Sequence, residues 1–270
     1  MSRLSPSKGA QVLFIQGYEV VPGQSNPDID ATWRLPMQKI VISGWLKDLA
    51  EGTFGDRRVI HIPNGVDPAQ FHAPPRGKQP RPTVGLLYAT IQLKGLDVAL
   101  KAIETARRSL PDLRVVCFGA EKIDEKLPLP PGAEYHHRPP QERIRDLYAS
   151  CDVWLCGSRR EGFHLPPLEA MACRTPVVST RVGGPLDVIR EGLNGHLVEI
   201  EDSTGLADRL LRVLRLDDAA WRRMSDAAEE TARGCRWEDS TLLFERALTT
   251  AVERASRREI AGPSSPQVLA

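Results

Sequence analysis

No run of apolar residues in this sequence approaches the length needed to cross a bilayer, and the opening Met1-Ser2-Arg3-Leu4-Ser5-Pro6 lacks the apolar centre of a secretory leader. A surplus of either charge is missing too: 36 Lys and Arg stand against 35 Asp and Glu, a formal net charge of +1. That balance argues against nucleic acid as the main partner, because phosphate-backbone binding needs a basic excess on one face. Cysteine is scarce. The five present (Cys117, Cys151, Cys156, Cys173, Cys235) are odd in number and lack metal-ligand spacing. Cys151 and Cys156 flank the apolar run Asp152-Val153-Trp154-Leu155, so buried free thiols are expected, and with them a reducing compartment. Internal repeats and coiled-coil heptads are also absent. A cytoplasmic protein is expected, with peripheral contact at the inner membrane surface as the variant reading.

What the chain does have is an apolar fraction of 41% over 270 residues, enough for one large domain or two small ones. The first part reads as strand Gln11–Gln16, a Pro/Gly/Asn/Asp-rich loop from Val21 to Asp30, strand Gln38–Ser43, a short helix near Trp45–Glu51 and strand Arg58–Ile62. Residues 73–82, with four prolines, are linker-like, since proline fits neither a helix interior nor a central strand. Beyond them, strands and helices alternate. The strands are Thr83–Tyr88, Leu113–Phe118, Val153–Cys156, Pro176–Ser179 and His196–Val198. The helices are Leu96–Leu110, Gln141–Ser150, Pro166–Cys173, Pro185–Glu191 and Thr204–Leu214. Short continuous apolar strands between helices predict a doubly wound parallel sheet covered on both faces, an α/β fold. A last amphipathic helix is expected from Trp237 to about Arg258, with Leu242, Phe244, Leu248 and Val252 among its apolar positions, followed by a disordered tail over 259–270.

The chemistry concentrates in Glu161-Gly162-Phe163-His164-Leu165-Pro166-Pro167-Leu168-Glu169. Two carboxylates flank a glycine turn and a helix started by proline. Carboxylates accept hydrogen bonds from hydroxyls, and a helix start offers unpaired N–H groups and positive potential to an anion. A ligand that is part sugar and part phosphate uses both. Glu161 stands on the loop after a sheet strand, at the carboxyl edge where open α/β sheets bind ligands. Taken singly, either glutamate is more simply a solvated side chain; the strand–turn–helix setting joins them.

This segment, with Ala170-Met171-Ala172-Cys173, Thr175-Pro176-Val177-Val178-Ser179-Thr180, Gly183-Gly184 and Glu191-Gly192-Leu193-Asn194-Gly195, resembles the retaining family-4 glycosyltransferases of the GT-B fold. The likeness runs from about Gln11 to about Glu253 and is strongest between Tyr148 and Val198. It implies that Glu161 holds hydroxyls of the transferred sugar near the reacting centre, and that Glu169 accepts bonds from the nucleotide ribose. Backbone amides near Gly162, Phe163, His164 and Leu165 would meet the diphosphate. Many members carry Gly where His164 stands, so a side chain there either narrows the sugar site, touches a phosphate or simply packs. Lys94-Gly95 resembles the family's cation for the leaving diphosphate. The Arg that many members carry five residues earlier is here Ala89. Gly119 and the Asn64-Gly65-Val66-Asp67 turn resemble further donor contacts. Arg138 and the Arg159-Arg160 pair are secondary phosphate candidates, and His136-His137 lacks a third spaced ligand for a metal.

The resemblance implies a Rossmann-like donor-binding domain over 67–236, a remnant of the N-terminal acceptor-side domain over 1–66 and a crossover helix over 237–258. The implied function is transfer of a sugar from a nucleoside-diphosphate sugar, with retention, to a glycan, lipid-linked or small-molecule acceptor in surface polysaccharide or glycoconjugate synthesis, without a metal or other cofactor. Two readings compete. One is a nucleotide-sugar-binding module, catalytically incomplete without a separate acceptor-domain chain, and the other a sugar-phosphate epimerase-type protein of the same fold. A shortened acceptor side also predicts a partner chain or a dimer over the apolar face of the last helix.

Overall fold

The computed structural model describes residues 9–18 and 26–260. The chain divides into two units, Gly65–Arg236 and Met1–Asn64 with Trp237–Ala270. The expected disordered tail lies, from residue 261, outside the described residues.

In the N-terminal segment the elements are β1 (Val12–Ile15), α1 (Pro27–Trp33), β2 (Gln38–Val41), α2 (Gly44–Gly52) and β3 (Ile60–His61). Among the described residues the three strands form a parallel sheet in the order β1-β2-β3. Helix α1 corrects the loop expected up to Asp30. Asn26 caps it by accepting from the Asp28 and Ile29 N–H groups, Pro27 occupies the first turn, and Asp28 and Asp30 favour the helix dipole. The same Asn, Pro and Asp that mark a loop also mark a helix start, and only the following Ala31-Thr32-Trp33 separates the two readings. Trp33 is buried and stacks on Phe54 with ring centroids 5.1 Å apart.

Unit Gly65–Arg236 carries β4 (Thr83–Leu87), α3 (Leu96–Ser109), β5 (Arg114–Gly119), β6 (Glu134–His137), α4 (Gln141–Ala149), β7 (Val153–Cys156), α5 (Leu165–Ala172), β8 (Val177–Thr180), α6 (Pro185–Val188), β9 (Gly195–Val198), α7 (Ser203–Leu214) and α8 (Asp218–Arg233). Among the described residues its sheet has six strands, all parallel, in the order β6-β5-β4-β7-β8-β9. This is the doubly wound arrangement expected. From β4 the chain steps outward through β5 to β6, then returns past β4 to β7 and steps the other way. The loops after β4 and β7 therefore leave the sheet in opposite directions and open a crevice at its carboxyl edge.

Residues of β4, β5, β7, α3, α7 and α8 form one apolar cluster, including Val84, Leu86, Ala102, Ile103, Val115, Leu155, Leu206, Leu210 and Trp221. Cys117, Cys151, Cys156 and Cys173 are buried and Cys235 is half-buried, all five as free thiols. Burial pushes the Cys151 and Cys173 thiols up to about 12, so neither is a ready nucleophile.

Three features of this unit differ from the expectation. Strand β6 was not expected because Glu134-Tyr135-His136-His137 carries little apolar character; as an edge strand it needs little, and its residues are half-buried or exposed. Helix α8 was also missed. Its buried face is Trp221, Met224, Ser225, Ala228 and Ala232, a helical spacing hidden by small and polar residues. The stretch over 73–82 is not a free linker. Arg76 donates to Cys151 O and Thr175 Oγ1, and its guanidinium lies 4.5 Å from the centre of the Trp221 ring. Lys78 Nζ donates to Leu214 O and Leu216 O at 2.7 Å each. Prolines deny the segment regular structure, while its long cations reach carbonyls at the ends of α7 and the β7 loop.

The closing helix α9 (Trp237–Ser256) packs within the unit of Met1–Asn64. Its buried stripe is Ala247, Ala251 and Ala255, set against Val12, Ile40, Ile60 and Ile62, with Phe244 half-buried and edge-on to Phe14 at 5.4 Å. The helix is where it was expected, but Leu242, Leu248 and Val252 are exposed. Alanine lets the helix axis approach the sheet closely, so the face that packs is the one with small side chains, not the one with large ones.

Trp221 tests whether α8 belongs to the core, because its indole N–H also donates to Asp152 O at 2.8 Å. Trp221→Ala is expected to cost about 3–5 kcal/mol, read as a lowered midpoint in urea unfolding at unchanged slope.

Candidate functional site

The crevice at the carboxyl edge between β4 and β7 is built by two loops that touch. After β4 the chain makes a short 3-10 turn, Gln92–Lys94, and Gly95 enters α3 in the left-handed region at φ 57. A methyl group at Gly95 would collide with Gly157 O, and one at Gly157 would stand only 2.6 Å from Gly95 O. Only glycine at both positions lets the backbones meet. The contact brings the side chain that precedes Gly95 to the residues that follow Gly157.

Lys94 Nζ accordingly donates to both carboxylate oxygens of Glu161, each at 3.0 Å. Ser158 Oγ donates to Glu161 Oε1 at 2.8 Å. His164 Nδ1 lies 3.0 Å from the same oxygen, within ion-pair reach of it. The side chain of Glu161 is 9% exposed and that of His164 4% exposed. Burial opposes ionisation of Glu161, but the His164 imidazole and then Lys94 outweigh it and hold the carboxyl at about 2. Glu161 is thus an anion at neutral pH.

Glu169 is treated in the opposite way. It lies in α5 just beyond the first turn, and its Oε2 accepts from Tyr148 Oη at 2.7 Å. Burial raises its pKa, and the single hydrogen bond from Tyr148 only partly offsets this. Two glutamates of one motif are therefore pushed apart in acidity by their surroundings, the arrangement from which separate roles arise.

The start of α5 has an unusual inventory of donors. Pro166 and Pro167 supply no N–H, so of the four orphan positions of the helix start only His164 and Leu165 carry one. His164 caps the helix at φ 81 and ψ 82, left-handed backbone that a residue with a Cβ adopts at a cost of about 1–3 kcal/mol. The glycine that many members of the resembled family place here would carry no such cost. Phe163 is buried and its carbonyl accepts from the Gly184 N–H. His164 also lines a small cavity of about 20 Å³ with Lys94, Leu86, Leu96, Gly157 and Ser158.

The remaining predicted positions lie elsewhere. Gly119 ends β5, where an added methyl would strike Tyr88 O, so close packing of β4 and β5 already requires a glycine. Gly65 opens its unit beside Val66, whose N–H donates to Cys235 O at 2.9 Å. Arg138 Nε donates to Ala120 O at 2.9 Å, in the loop that follows Gly119. His136 and His137 belong to β6, and among the described residues no cluster of three His, Cys, Asp or Glu has metal-site geometry. Sequence reading passed over Ser158 and Tyr148, which hold the two glutamates. A small polar residue directly after a strand-ending glycine was the available signal for Ser158, and nothing local marks Tyr148.

A buried, ionised carboxylate paired with lysine thus stands at the switch point of a doubly wound sheet, beside a helix start, where open α/β sheets and helix starts offer room and positive potential. The sequence model of the family described as glycosyl transferases group 1 matches residues 71–231, more than half of the chain, and the chain belongs to that family. It is 32% identical over 228 residues to the D-inositol 3-phosphate glycosyltransferase of Pseudarthrobacter chlorophenolicus, covering 77% of this chain and 49% of that protein. With the N-acetyl-alpha-D-glucosaminyl L-malate synthase of Bacillus anthracis the identity is 42% over 91 residues, covering 34% of this chain and 24% of the relative. The chain spans about half the length of most curated relatives it matches. Similar solved structures include the sucrose-phosphate synthase of Thermosynechococcus elongatus, at TM-score 0.73 and 20% identity over 88% of this chain and 67% of that one. Another is Anabaena HepE in complex with UDP and glucose, at TM-score 0.72 and 18% identity over 88% and 71%. At these identities the structures speak to fold alone. No helix among the described residues is long and apolar enough to cross a membrane.

The depressed pKa of Glu161 carries a stability signature. A carboxyl whose folded pKa lies below its ordinary 4.5 contributes stability above that value and loses it as pH falls toward about 2. Glu169, with its pKa raised, contributes with the opposite sign, so its share fades as pH rises. Acid unfolding of Glu161→Gln is therefore expected to depend less steeply on pH than wild type between about 4.5 and 2, as measured by urea midpoints at stepped pH. Equal slopes would remove the ion pair from the description of the site.

Proposed function

We propose that the chain is the donor-binding part of a glycosyltransferase that takes its sugar from a nucleoside-diphosphate sugar and transfers it with retention of configuration. The observation that carries this reading is the Lys94–Glu161 pair at 3.0 Å on the switch-point crevice, next to the two N–H groups that open α5. In the proposed roles, Lys94 and the amides of His164 and Leu165 neutralise the departing diphosphate, acting most strongly as its charge develops. Glu161, kept ionised, accepts hydroxyls of the sugar, and Glu169 accepts the ribose hydroxyls. Gly162, Phe163, Gly119 and Gly65 complete the donor side through backbone contacts. Before donor arrives Lys94 is committed to Glu161, and a diphosphate would draw it away, leaving the carboxylate to the sugar.

The domain assignment belongs to the same proposal: residues 67–236 bind the donor, and residues 1–66 with the helix over 237–258 form part of an acceptor side. A glycan, lipid-linked or small-molecule acceptor in polysaccharide or glycoconjugate synthesis is the proposed setting, at the cytoplasmic face. The roles given to the side chains and helix start need no metal ion.

A panel of UDP-, GDP- and dTDP-sugars, led by UDP-glucose because HepE was solved with UDP and glucose, tests this by thermal and urea stabilisation. A true donor at one hundred times its Kd is expected to add about 2.7 kcal/mol. Glu169→Ala is expected to lose most of that gain while the unliganded fold stays intact. Stabilisation without turnover of any acceptor would favour a binding module served by another chain. No stabilisation by any donor would sink the reading.

A further inference from the structure

We infer that Arg159 is a positioning residue for Lys94, and that its role is to hold the turn presenting that lysine and not to bind phosphate itself. The guanidinium has five N–H donors, and all five are engaged. Nε donates to Glu201 Oε1 and Nη2 to Glu201 Oε2 at 3.1 Å. Nη1 and Nη2 donate to Asp97 Oδ1 and Oδ2 at 2.8 Å each, and Nη1 donates again to Gln92 O at 2.8 Å. The backbone N–H of Arg159 adds a bond to Leu93 O at 2.8 Å. No donor remains for a ligand, and two carboxylates more than offset the single positive charge. This sets aside Arg159 as a phosphate contact, while the neighbouring Arg160 has no side-chain partner among the described residues.

What these six bonds join is specific. Gln92, Leu93 and Asp97 bracket Lys94 on both sides: the first two lie in its turn and Asp97 in the first turn of α3. Arg159 lies two residues after Gly157 and two before Glu161, so one side chain ties the loop that carries the cation to the loop that carries the anion. Glu201, left-handed at φ 68 in the loop before α7, is the outer anchor. The carboxylates of Asp97 and Glu201 are 52% and 58% exposed, which limits the energetic worth of the ion pairs. Their bidentate geometry, by contrast, fixes orientation, because a planar fork gripped on two sides cannot turn. The Gly95–Gly157 contact brings the loops together, and Arg159 keeps the turn from swinging.

The inference rests on Lys94 facing the diphosphate, as proposed above, and the test separates the two. The full chain would be titrated with UDP, GDP and dTDP to find the one it binds, then with the matching monophosphate, in wild type, Arg159→Ala, Lys94→Ala and the double variant. Arg159→Ala is expected to weaken diphosphate binding by about tenfold, a difference near 1.4 kcal/mol, and to leave monophosphate binding within about twofold. In the Lys94→Ala background the same change is expected to have no further effect, since both variants remove one interaction. Arg159→Lys, which cannot form the fork, is expected to restore little. Equal losses for mono- and diphosphate, or additive losses in the double variant, would overturn the inference and leave Arg159 a general support of the fold. A normal Arg159→Ala beside a weakened Lys94→Ala would overturn it as well. If Lys94→Ala itself binds diphosphate normally, the reading of Lys94 fails and the inference falls with it. Should Arg159→Ala not fold, Asp97→Asn, which weakens one side of the fork, is expected to give the same selectivity at smaller size, and a loss equal for both nucleotides would then overturn the inference.

Discussion

Two glycines, Gly95 and Gly157, allow the backbones after β4 and β7 to approach more closely than any side chain would permit, and the site follows from that contact. The doubly wound order sends these loops apart, which opens a crevice; the glycine contact closes its floor. Lys94 and Glu161 then meet across it although 67 positions separate them in sequence. Ser158 and the Arg159 fork belong to the same few residues. A side chain at either glycine would meet backbone atoms of the other loop and force the two apart.

Given that floor, the two glutamates diverge for electrostatic reasons. Both are largely buried, which alone would raise both pKa values. Glu161 has a lysine, a hydroxyl and an imidazole on one carboxylate and stays charged. Glu169 has one phenol and is harder to ionise. One residue is therefore an anion over the whole neutral range, and the other is held back from ionising by the water it has lost. His164 sits where these effects meet. Its left-handed backbone is an expensive feature for a residue with a Cβ, and its buried ring stands against the Glu161 carboxylate at the helix start.

Much of the fold was legible in the residues. The alternation of β-branched runs with helical spacing from Thr83 to Leu214 predicted the parallel sheet, because strands buried on both faces need continuous apolar side chains. The elements that escaped lacked that signal for identifiable reasons. β6 lies at an edge, α8 buries serine and alanine beside its tryptophan, and α1 starts with loop-like residues that serve as a cap. In the site, Glu161, Glu169, Lys94 and the helix start could be picked out because their spacing and neighbours carry the family resemblance.

By itself, then, the sequence determined the fold class and most of the elements, and it marked candidate residues on them: spacing and side-chain type act locally, and local rules read them. It left open who faces whom. That Lys94 meets Glu161, that Tyr148 holds Glu169, that Arg159 is spent on Asp97 and Glu201, and that α9 packs by alanines and not leucines were decided by tertiary structure. Each of these is a contact between segments far apart in the chain, set by strand order and by how closely two backbones can approach, and no local pattern encodes either.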